Sequence, residues 1–103
     1  MTKRTTIKLS QIANEALDYT SEVPALDPAD CRRLVICEQC GSSYGIVDGF
    51  HRTAGMVRWA KENGLVDADV VVIVCDDEDL ISAAAEPGPG QAAAIEAIYA
   101  AAK

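Results

Sequence analysis

Residues 70–75 read VVVIVC. Six apolar residues follow one another with no polar alternation, and four are valine. β-Branched side chains suit a pleated strand better than a helix. A run this short and uniform predicts a strand covered on both faces, and therefore a central one. A central strand needs strands beside it and helices above and below. The expected fold is an α/β (α+β) domain, a compact mixed sheet with short helices. The chain has 103 residues, enough for one such domain and one core.

The flanking sequence supplies the other elements. Residues 5–9 (TTIKL) alternate and read as a first strand. Ser10 is placed to cap a short helix over 11–17. Asp27-Pro28 looks like an N-cap with proline at the first helical position, opening a short turn to Arg32 or Arg33. Residues 34–37 (LVIC) and 44–47 (YGIV) read as strands joined by the polar turn 38–43, an antiparallel hairpin. Residues 53–63 read as a helix with Met56, Val57 and Ala60 on one face and Gly64 as its stop. Beyond the central strand, Asp76-Asp77-Glu78-Asp79 reads as an acidic helix start favoured by the amide dipole, with a magnesium site as the sharper alternative. A helix over 80–85 follows. Glu86-Pro87-Gly88-Pro89-Gly90 is the clearest break. The organisation expected is a domain at 1–86, a Pro/Gly linker at 87–90 and a C-terminal helix at 91–103. The Ile95, Ile98 and Tyr99 stripe of that helix should dock on the body or on another subunit.

Half of the residues are hydrophobic, which argues against disorder. The formal net charge is -7. Free nucleic acid is repelled by such a chain on average, because binding it rests on cations meeting phosphates. No stretch has the form of a signal peptide, and no apolar run is long enough to span a bilayer. The expectation is a cytoplasmic protein with no membrane partner. Four cysteines, Cys31, Cys37, Cys40 and Cys75, then read as reduced thiols. Cys37-x-x-Cys40 has half the spacing of a zinc site but lacks a second close pair, so no metal is assigned.

The chemistry concentrates where a strand becomes a helix, at Asp48-Gly49-Phe50-His51-Arg52. The first amides of a helix have no partner within it and favour an anion, typically a phosphate. Asp48 can fix the turn, and Gly49 lets the backbone bend sharply and approach a ligand. His51, the single histidine, and Arg52 add side-chain donors. A cation in the first turn is at the wrong end of the dipole, so it needs a bound anion or Asp48 as its reason.

In that setting, residues 34–60 resemble the ParB/sulfiredoxin superfamily. There a hairpin strand runs into a D-G-x-H-R type of turn and a helix follows, as Tyr44 to Ala54 do here. The resemblance implies a phosphate-handling loop in which Gly49, Phe50, His51, Arg52 and Thr53 bind the ligand and Asp48 and His51 are the catalytic candidates. It implies a nucleotide of the CTP, ATP or ADP class, with Mg2+ as an option. Glu15, Asp18 and Glu22 lie where a kinase-like member places a base. Sulfiredoxins carry their reactive cysteine where this chain has Phe50, which argues against that activity. No helix-turn-helix region follows, which argues against site-specific DNA reading. The alternatives are a plasmid- or phage-type regulatory module acting through the C-terminal helix as a homodimer or with a protein partner, and a small nuclease or kinase-like phosphotransfer enzyme.

Overall fold

The computed structural model describes residues 2–19 and 22–102. Strands β1 (Lys3–Lys8), β2 (Ile36–Cys40), β3 (Ser43–Asp48) and β4 (Asp69–Val74) form one sheet in the order β1-β4-β2-β3. Helices α1 (Phe50–Glu62), α2 (Glu78–Ala85) and α3 (Gln91–Ala101) complete an α+β fold. Short 3-10 segments lie at Leu9–Gln11, Ala13–Tyr19 and Pro28–Asp30.

The apolar run is internal as expected, antiparallel to β1 and parallel to β2. β2 and β3 form the expected antiparallel hairpin, with Cys40 opposite Ser43. The turn between them is only Gly41 and Ser42. Gly41 has φ 65, a left-handed conformation that glycine adopts at little cost.

Alternation along the strands divides the interior into two cores. On one face, α1 and the 3-10 segment bring Ile12, Ala16, Met56, Val57 and Ala60 against Ile7, Cys37, Ile46, Val70 and Val72. On the other, α2 and α3 bring Ala84, Ala94, Ile95 and Ile98 against Ile36, Val47, Ile73 and Cys75. The C-terminal stripe is therefore used within the chain, and the helix beyond the Pro/Gly break belongs to the core. Lys103, where the expected helix ends, lies outside the described residues.

Three local expectations are corrected. Val71 is 46% exposed, so β4 is not covered throughout on both faces. Val71 pairs with Thr6 of β1, and no β1 residue joins the core beneath α2 and α3. Ser10 caps no α-helix. Its N–H and hydroxyl both donate to the Asp67 carboxylate, at 3.0 and 2.7 Å, while the Leu9 N–H donates to Ala68 O at 2.8 Å. Those ties pin the chain to the start of β4, and the segment winds as tighter 3-10 turns. The Asp27 cap is present, accepting from the Ala29 N–H at 2.9 Å, but its helical turn ends at Asp30.

Two contacts hold the segment around residue 25 on α1. Gly55 O accepts from the Leu26 N–H at 2.9 Å, and Arg58 Nη1 donates to Val23 O at 2.8 Å. A Cβ on Gly55 would come within 2.8 Å of Pro24 O, so this helix interior needs glycine for close approach. At the outer side of β3, the Ile46 N–H donates to Glu15 Oε2 at 2.8 Å.

A candidate anion-binding turn at the start of α1

The hairpin register shifts by one residue just before the turn. Cys37 pairs with Ile46, but Ile36 pairs with Asp48, so Val47 is passed over. Such a bulge bends the strand and re-aims the side chain that follows. Val47 goes to the α2/α3 core, and Asp48 leads into the turn. Gly49 then has φ 114 as N-cap of α1. A side chain there would be strained by that φ. Its Cβ would also lie 3.0 Å from Arg52 Nη2 and 3.2 Å from the Val35 backbone.

Glycine supplies no side-chain cap. The first intrahelical bond is from the Thr53 N–H to Gly49 O, at 2.9 Å. Among the described residues, the N–H groups of Phe50, His51 and Arg52 have no acceptor. They form the positive end of a 13-residue helix. Helix formation thus begins at Phe50, three residues before the expected start. This places Phe50, His51 and Arg52 on the first turn.

Arg52 is braced from two sides. Its Nη2 donates to Asp48 Oδ2 at 3.0 Å and, more weakly, to the Tyr99 hydroxyl at 3.4 Å. The Tyr99 hydroxyl itself donates to Leu34 O at 2.6 Å. Arg33 lies over the Tyr99 ring at 4.7 Å and pairs with Glu96 at 3.0 Å. Among the described residues, Arg52 Nε is buried and has no hydrogen-bond partner. Burial raises the Tyr99 phenol above its ordinary range, with the charges of Arg52 and Arg33 opposing. Burial likewise raises the Cys31 thiol, again against the field of Arg52. Cys31, Arg33, Asp48, Arg52 and Tyr99 thus form one electrostatic neighbourhood drawn from four parts of the chain.

Beside it, the Tyr19 ring lies 4.9 Å from His51 and 6.0 Å from Phe50. Tyr19, Asp48, Gly49, Phe50, His51 and Arg52 line a cleft of about 190 Å³. The residues expected to act together are therefore brought together, with one difference of role. Thr53 is fully buried, and its hydroxyl donates to Gly49 O at 2.9 Å, so its side chain holds the turn.

The acidic candidates lie elsewhere. Glu15 is engaged with Ile46 at the outer side of β3, Glu22 is exposed, and neither lines the cleft. The side chain of Asp18 lies outside the described residues. Asp77 accepts from the Asp79 and Leu80 N–H groups, the helix-start role expected of that acidic run. Asp76 and Glu78 line a separate cavity of about 500 Å³ with Lys3 and Glu38, past the end of β4. Cys37 and Cys40 sit at positions i and i+3 of a strand, so their side chains take opposite faces; Cys37 is buried and Cys40 exposed. Burial pushes the Cys37 thiol up to about 12. Among the described residues, no three His, Cys, Asp or Glu side chains group as metal ligands. No helix there is long and apolar enough to cross a membrane.

Fold and site define a two-core α+β domain with an arginine braced at a helix start. Compared with known proteins, the chain matches no family model, no curated protein and no solved structure.

Sequence reasoning missed Tyr19, Arg33 and Tyr99. Tyr19 stood in a stretch without periodicity, and Tyr99 read as part of an apolar stripe. No local pattern marks either, since their roles come from partners 31 or more residues away.

Proposed function

We propose that the chain is a ParB/sulfiredoxin-like domain whose cleft at the start of α1 binds the phosphate end of a small molecule, a nucleotide being the preferred class. The observation that carries this reading is the set of three consecutive unpartnered N–H groups, Phe50 to Arg52, beside a guanidinium held at the same cleft. Backbone donors, a helix dipole and an arginine fork together match a phosphate oxygen set.

Small-molecule sites commonly have volumes of about 300–1,000 Å³, so a cleft of about 190 Å³ seats a phosphate or pyrophosphate group and little more. The rest of the ligand would extend over the surface, where Tyr19, Phe50 and His51 offer aromatic faces. Mg2+ would travel with the phosphates, since the carboxylate nearest the cleft, Asp48, is paired with Arg52. The reading is one of binding. Phosphotransfer would call for a base; Glu15 and Glu22 do not line the cleft, and Asp48, which does, is paired with Arg52.

Calorimetric titration with pyrophosphate, ADP, ATP and CTP, with and without Mg2+, tests the reading. Arg52→Ala should weaken the best ligand about ten- to a hundredfold, because a charge-assisted contact contributes roughly 1.5–3 kcal/mol. Lys61→Ala, at an exposed position of α1, is the control. Arg58 would be the obvious comparison from sequence, but its bond to Val23 O makes it a structural residue. Equal binding by the Arg52 and Lys61 variants, or no binding by the parent, would reject the proposal.

A further inference from the structure

We infer that Tyr99 is the positioning residue for Arg52, and that α3 thereby sets the geometry of the cleft. The inference deepens the phosphate reading and rests on it for its ligand arm. Tyr99 does not line the cleft, and nor does any other residue of α3; it reaches the site only through Arg52. Its hydroxyl is fixed by a short bond to Leu34 O, at 2.6 Å, just ahead of β2. With its proton committed there, the oxygen presents its lone pairs, and one receives Arg52 Nη2 at 3.4 Å. The ring is held in turn under Arg33, which Glu96 ties back to α3. Without that acceptor, the guanidinium keeps, among the described residues, only the hydrogen bond to Asp48. A carboxylate and guanidinium i,i+4 apart on a partly exposed surface hold one another loosely.

The arrangement makes binding and helix docking reciprocal. If docked α3 holds Arg52 in the binding geometry, a bound anion must hold α3 docked by the same factor.

Tyr99→Phe keeps the ring under Arg33 and removes only the hydroxyl. Ile98→Val is the comparison, since it loosens the buried face of α3 and leaves the hydroxyl in place. The first readout needs no ligand. Nitrogen–proton NMR of the Arg52 guanidinium should show restricted rotation in the parent and in Ile98→Val, and averaging in Tyr99→Phe. An Arg52 signal unchanged in Tyr99→Phe, or averaged equally in Ile98→Val, overturns the inference. The second readout is titration with inorganic pyrophosphate, where Tyr99→Phe should bind about two- to tenfold more weakly and Ile98→Val like the parent. In the parent alone, pyrophosphate should slow amide exchange along α3. Equal affinities in parent and Tyr99→Phe would overturn the positioning role while leaving the cleft a phosphate site. A parent that ignores pyrophosphate while its Arg52 signal depends on Tyr99 would uphold the positioning and sink the phosphate reading.

Discussion

At the scale of single residues, Asp48 and Gly49 have opposite relations to an incoming anion. Gly49 permits the site: its φ of 114 and its closeness to Arg52 and Val35 leave no room for a side chain. Asp48 braces Arg52 but also puts a carboxylate where another negative charge would arrive. Asp48→Asn keeps the shape and removes the charge. Phosphate affinity should rise about tenfold, since like charges a few ångströms apart near a surface repel by a few kcal/mol at most. The measurement is titration of both forms at one ionic strength. A fall in affinity would mean that Asp48 takes part in binding, directly or through a cation. The turn itself was legible in the sequence because Asp-Gly followed by a helical pattern is a local signal. The bulge that precedes it was not, because a skipped residue shows only in the pairing of β2 with β3.

At the scale of elements, α1 is the member most dependent on a small residue in its interior. Alanine at position 55 would favour the helix by about 1 kcal/mol on propensity alone. The new Cβ would press on Pro24 O at 2.8 Å and Leu26 Cβ at 3.1 Å. Backbone has to move to admit it, and overpacking of this kind costs about 1–3 kcal/mol. Gly55→Ala should therefore lower stability in urea by up to roughly 2 kcal/mol, with the loss focused on the segment before β2. A stabilised variant would show that this segment yields freely. Element type was readable wherever the period was local, as in β4, the hairpin, α1 and the acid-capped α2. It failed at residues 10–19, where bonds from Ser10 to Asp67, 57 positions away, override the helical pattern. Likewise, the exposure of Val71 follows from what covers β1, about which the VVVIVC run itself carries no information.

For the molecule as a whole, the buried thiol of Cys37 gives a pH dependence with a fixed sign. Burial, aided by the charge of Glu15, raises it from 9.0 to about 12. The unfolded chain therefore gives up this proton first as pH rises. Stability from this group is complete below about pH 9 and declines toward pH 12. Denaturant midpoints measured across that window should fall less steeply for Cys37→Val than for the parent. Parallel slopes would assign the decline to other groups. The carboxylate of Glu15 has one more consequence. A free sheet edge offers backbone donors to which other chains can add. The first edge, β1, carries Lys3, Arg4 and Lys8, and charge of this kind discourages such addition. At the opposite edge, Glu15 occupies the outward Ile46 N–H as a carbonyl of a further strand would. Glu15 thus fills, with one side chain, a donor position that an added strand would otherwise use. Glu15→Ala should leave the fold in place but raise light scattering on prolonged mild heating, with new strand signal in the infrared, whereas scattering equal to that of the parent would mean that the edge is kept safe by other means.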